Sequence, residues 1–238
     1  MQELLISGNT ISLVEKRVVH TTTIDEFEKA ILNMSPLKSE ILPAGCKAFI
    51  RNHSEGLSCY VVERLPGLTS LTFHTHRHRT DDLQDYLLSL PFMQFYVLLR
   101  DCPAGYAFCS VYLSCTKVPI RSYKDHIYVM PLPNIFADGE GKVCTGDIQV
   151  SMATPADACE ELISSFFSAP SNLDLSLHYP DALRANGSSH ENALNTWRKL
   201  SEGNPLFGIS KDITYRDFAH HESCFEARIN HVMNSMRR

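Results

Sequence analysis

Between residues 46 and 116 the chain alternates short apolar runs with turn residues, and this patterning limits its fold more than any other feature. The runs 46–51, 57–64, 68–74, 92–100 and 106–116 are rich in β-branched and aromatic residues and read as strands. Ser54-Glu55-Gly56, Pro66-Gly67 and Pro103-Ala104-Gly105 separate them with turn chemistry. Short connections favour an antiparallel meander, because parallel neighbours need a long crossover. Between the third and fourth runs, 81–89 is expected as a short helix.

The flanks read differently. Segments 4–7 and 10–19 are β-like, and Gly8-Asn9 between them fits a two-residue hairpin turn. A helix is expected over about 24–34, where Thr23 and Glu26 have capping-box spacing and Ile24, Phe27, Ile31 and Met34 share a face. Downstream, Thr154-Pro155-Ala156-Asp157 starts a helix with Pro at its first position. Cys159, Leu162, Ile163, Phe166 and Phe167 form its apolar stripe. After a loop over 169–187, a helix over 191–200 is expected to bury Leu194, Trp197 and either Leu200 or Ser201. A last helix from about His221 shows Phe225, Ile229, Val232 and Met236 on one face, and Arg237 and Arg238 suit its C-terminus. The pattern predicts an α+β fold with helices packed on an antiparallel sheet.

Composition excludes several classes. A net charge of −5 gives no overall nucleic-acid footprint. No apolar run approaches the length of a membrane span. The start MQELLISGNTISLVEK lacks the basic and apolar regions of a signal peptide, so the expectation is a cytoplasmic protein with reduced thiols. The eight cysteines stand at positions 46, 59, 102, 109, 115, 144, 159 and 224, and none form a C-x-x-C pair, so no structural zinc knuckle is expected.

One cysteine is set apart by its surroundings. The segment 131–146, PLPNIFADGEGKVCTG, follows a strand-like run at 126–130 and places Cys144 after a loop rich in Pro, Asn, Asp and Gly. A thiolate presented on such a loop is a good nucleophile, and the nearby Asn134 amide can donate to an oxyanion. The other seven cysteines read as small core residues. Cys109 and Cys115, six apart on a strand pattern, are expected to share a face, and Cys159 lies on the apolar stripe of its helix.

Rival constellations are fewer. His74, His76 and His78 would share a strand face and present three imidazoles to Zn²⁺, the basis of an alternative metal-dependent hydrolase, but no further ligands are evident. Arg77, His78 and Arg79 offer instead a patch for an acidic protein. His220-His221-Glu222 reads as a polar helix start. Gly139-Glu140-Gly141-Lys142 lacks phosphate-loop spacing, with Val143 where Ser or Thr is needed. No G-x-S-x-G elbow occurs. A Cys-His protease would pair Cys144 with a remote histidine such as His126 or His178.

Pro133-Asn134, then 135–139 with an aromatic residue and Gly, then Val143-Cys144, resembles the active-site segment of ubiquitin-conjugating enzymes. Phe166-Phe167-Ser168 and Trp197 resemble more closely a bacterial branch, prokaryotic family D, which includes protein B of the PRTRC system and is encoded with ThiF-like activating enzymes, JAB-type peptidases and ubiquitin-like proteins. Leu132 stands where the family tripeptide has His. The resemblance implies a conjugating domain over 23–202, a β-hairpin extension over 1–22 and a helical extension over 203–238, with the helices of the domain on one side of its meander. It implies that Cys144 accepts a ubiquitin-like protein from a ThiF-like activating enzyme and passes it to an amine on a target protein, in a setting such as antiphage defence. Asn134 would stabilise the oxyanion or shape the loop. Pro133 would set the turn, Asp138 and Gly139 would hold the loop open, and Asp147 would align or deprotonate the incoming amine. The first helix would dock the activating enzyme. No metal or small cofactor, nucleic acid or membrane is implied. The Leu132 substitution motivates an alternative, a non-catalytic binding module on the same fold.

Overall fold

A computed structural model describes residues 3–7, 10–14, 18–23, 41–52, 55–74, 83–102, 105–132, 134–136, 141–146, 154–171, 183, 190–215 and 224–235. The chain divides into two compact units, Met1–Glu40 and Ile41–Arg238. In the first, β1 (Glu3–Ser7), β2 (Thr10–Val14) and β3 (Val18–Thr23) form an antiparallel sheet in that order. Ser7 pairs with Thr10, so the connection has the two residues expected of it. The expected hairpin therefore gains a third strand, because the run 10–19 is two strands with a register shift near Leu13 and Val14. The helix expected over 24–34 lies outside the described residues.

The second unit is built on five antiparallel strands. They are β4 (Cys46–Asn52), β5 (Leu57–Arg64), β8 (Phe92–Cys102), β9 (Gly105–Thr116) and the short β10 (Tyr128–Val129), in the order β10-β9-β8-β5-β4. Two further strands, β6 (Gly67–His74) and β7 (Leu83–Leu90), leave the sheet as a separate hairpin, so β5 pairs directly with β8. The helix expected over 81–89 is thus a strand. Its apolar residues have period two: Tyr86, Leu88 and Leu90 are buried, whereas Leu83, Asp85 and Leu87 are exposed. Pairing with β6 along the whole length of β7 overrides a local pattern that a helix also satisfies.

Three helices are described in this unit: α1 (Pro155–Ser168), α2 (His190–Gly203) and α3 (Phe225–Asn234). One face of the sheet, with Val62, Phe95, Val97 and Leu113, shares a core with the hairpin, α1 and α2. The other face, with Val61, Tyr96, Leu98 and Tyr112, packs against Phe225, Ile229 and Val232 of α3. Coverage of both faces explains why β8 reads as a nearly unbroken apolar run. Burying side chains of this size is worth about 1.5–3 kcal/mol each, which holds the helices to the sheet.

Polar groups fix the register of these layers. Thr154 caps α1, its hydroxyl accepting from the Asp157 N–H at 3.1 Å, as the Thr-Pro start predicts. On α2 the buried partner of Leu194 and Trp197 is Ser201, not Leu200. Trp197 donates its indole N–H to the Ser89 carbonyl at 3.0 Å, and Ser201 accepts from the Ser89 N–H at 2.8 Å. The outer edge of β7 is thereby satisfied by side chains of α2. Between sheet faces, Glu63 pairs with Lys47 at 2.9 Å and accepts from Gln94 at 3.1 Å and from the Ile120 N–H at 2.8 Å. That buried carboxylate is fully engaged, as an interior charge must be.

One face assignment from spacing is overturned. Leu98 pairs with Ser110 and Leu99 with Phe108, so Cys109 is an extra residue in β9. This bulge reverses the alternation before it. Cys115 lies in the core shared with α1, whereas Cys109 packs against the opposite one.

Candidate functional site

The loop that presents Cys144 is anchored on the outer edge of β9. Tyr128 and Val129 pair with Cys115 and Ser114. The chain then leaves the edge and returns at 141–143, where the Leu113 N–H donates to Gly141 O at 2.8 Å and the Val143 N–H donates to Val111 O at 2.9 Å. Across the neck of the loop, the Phe136 N–H donates to Lys142 O at 2.8 Å and the Cys144 N–H donates to Asn134 O at 2.6 Å. Ile135 and Val143 face each other in this narrow ladder and are buried, as is Leu132 at 1 % exposure. Alternation about buried Val143 turns Cys144 outward.

Cys144 is exposed, and none of the other seven cysteines is. Burial pushes the thiols of Cys46, Cys59, Cys109 and Cys115 up, and that of Cys159 up to about 12. Those five therefore stay protonated near neutral pH, which suits core residues and disqualifies them as nucleophiles.

Asn134 has a positive φ of 63°, in the left-handed region where Asn is the best tolerated residue after Gly. Its side-chain amide donates to the Ser171 hydroxyl at 3.2 Å. Ser171 is buried just beyond α1. Its N–H donates to Thr72 O at 2.8 Å, and its carbonyl accepts from the His74 N–H at 2.9 Å. Ser171 thus ties the cysteine loop to the end of β6. No motif marks this residue in the sequence. The only local signal is Pro170, which ends α1 and leaves the chain extended.

The remaining expected residues distribute unevenly. Pro133, Asp138, Gly139 and Asp147 lie outside the described residues, as do His76, His78 and His178. His74 closes β6 and reaches the site through its backbone bond to Ser171. His126 is exposed and bridges Cys224 at the start of α3. Among the described residues, no group of three His, Cys, Asp or Glu side chains is placed to hold a metal ion. No described helix is long and apolar enough to cross a membrane.

Together these features define an α+β unit with an exposed thiol on a backbone-clamped loop. No protein-family model, curated protein or solved structure matches the chain.

Proposed function

We propose that the protein is a transferase of the ubiquitin-conjugating kind that carries a ubiquitin-like protein on Cys144. One observation carries this reading: of eight thiols, the one on the Pro-Asn loop alone is exposed, and the loop holds it by backbone bonds on both strands of its neck. The Cys144 thiolate attacks the thioester joining the carrier to its activating enzyme. A new C–S bond forms and the enzyme's thiolate leaves. An amine on the target then attacks the carbonyl, a C–N bond forms, the C–S bond breaks, and the amine gives up a proton as the Cys144 thiolate is released. The ATP is consumed earlier, by the activating enzyme, so the transferase needs no cofactor. Asn134 acts by shaping the loop, since its carbonyl accepts from Cys144 and its amide donates to Ser171. The compartment in this reading is the cytoplasm, and antiphage modification of a protein target is its setting.

The bond between Asn134 and Ser171 also favours the second reading, a binding module that uses the same loop without chemistry. The two separate on one test. With a ThiF-like activating enzyme, a ubiquitin-like protein and ATP, Cys144→Ser traps a hydroxylamine-sensitive ester if Cys144 is the acceptor. Carrier binding to the wild-type chain with no adduct on any residue establishes the binding module instead.

A further inference from the structure

One flank of α1 carries Glu160, Ile163, Ser164 and Phe167 at helical spacing. This flank, the end of β5 and the approach to β4 enclose a groove of about 520 Å³. That volume falls within the range of small-molecule sites. Its walls are apolar, from Pro43, Val62, Ile163 and Phe167.

Three charged residues line it: Glu63, whose carboxylate is already held by Lys47, Gln94 and the Ile120 N–H, and Arg64 and Glu160. Arg64 is two residues from Val62 on β5 and projects to the same side. Its guanidinium lies 4.1 Å from the centre of the Phe167 ring. Glu160 is seven residues earlier on α1, on the order of 10 Å along the helix axis. Among the described residues no carboxylate pairs with Arg64, and burial pulls its guanidinium below the usual value. With one face stacked on Phe167, the guanidinium leaves its N–H edge open to an anion from solution, and that edge matches a carboxylate in shape. Cys159 on the wall keeps its proton, with its thiol raised to about 12, so the groove offers binding without a nucleophile.

We propose that this groove binds a small amphipathic monoanion, a free carboxylic acid with an aliphatic or aromatic body. Its carboxylate sits on Arg64, and its body lies against Val62, Ile163 and Phe167. Glu160 at the far end repels a second anionic group, so a dicarboxylate of equal length is rejected. The inference does not depend on the chemistry of Cys144.

Titration of the full chain with octanoate, octanol and suberate, followed by calorimetry, tests it. Octanoate is expected to bind at least about tenfold more tightly than either of the others. Arg64→Gln lowers octanoate to the level of octanol, and Glu160→Gln raises suberate towards octanoate. Both residues are exposed, so both variants retain the fold, which thermal melting verifies. No octanoate binding, equal affinity for octanoate and octanol, or indifference to Arg64→Gln would overturn the proposal.

Discussion

Asn134 concentrates the physics of the candidate site in one residue. It holds a left-handed backbone, offers its carbonyl to Cys144 and gives its amide to Ser171. Asn134→Ala loses the amide and keeps the strained backbone, and is expected to cost about 1–3 kcal/mol in urea denaturation. Asn134→Gly relieves the backbone and is expected to cost distinctly less. Equal losses in the two variants would show that φ is not what the residue is kept for. The exposure of Cys144 was legible in the sequence because a loop rich in Pro, Asn, Asp and Gly precedes it; the alternation about buried Val143 that turns it outward was not. Ser171 was not, because its bonds to Asn134, Thr72 and His74 join segments far apart in the chain. Cys109 was misplaced for a related reason: a bulge is a property of the paired strands, and spacing along one of them cannot show it.

At the scale of elements, junctions made by short loops decide which helix docks where. Gly208 lies flat on the end of β7, where an added Cβ would stand 2.6 Å from both the Ser89 carbonyl oxygen and the Leu90 carbonyl carbon. Backbone cannot yield as a side chain can, so Gly208→Ala is expected to destabilise by about 3 kcal/mol in thermal or urea unfolding. A loss within experimental error would contradict this packing. The start of α3 lacks a side-chain cap, and its first N–H groups are taken by the turn before β10: Phe225 donates to Asp125 O and Glu226 to Tyr123 O, each at 2.9 Å. The Asp125 carboxylate holds that turn by accepting the N–H groups of Arg121 at 2.7 Å and Ser122 at 2.9 Å. These bonds draw its pKa below the usual 3.8. A depressed carboxylate stabilises the fold above its unfolded value and loses that contribution as pH falls through the folded value. The difference in urea midpoint between wild type and Asp125→Asn should therefore be present at neutral pH and vanish well below pH 3.8. A difference that persists in acid would place the effect elsewhere. Six of the seven strands between 46 and 130 were legible from composition and turns, because each is an apolar run between strong breakers. The 81–89 segment was not, since its leucines satisfy both periods and only pairing with β6 selects the strand.

For the molecule as a whole, a sheet buried on both faces supports a loop on the outer edge of β9, and that loop carries the one exposed thiol. The α+β class follows from the order of runs along the chain. The detachment of the β6–β7 hairpin does not, because it depends on which strands compete for the edge of β5. The central claim is that Cys144 accepts an acyl group. It is tested most directly by intact-mass measurement of the chain under non-reducing conditions, after incubation with activating enzyme, ubiquitin-like protein and ATP. The account predicts one added carrier, released by thiol reductant, mapped to Cys144 and absent from Cys144→Ala. An unmodified chain, or an adduct that survives in Cys144→Ala, would contradict it.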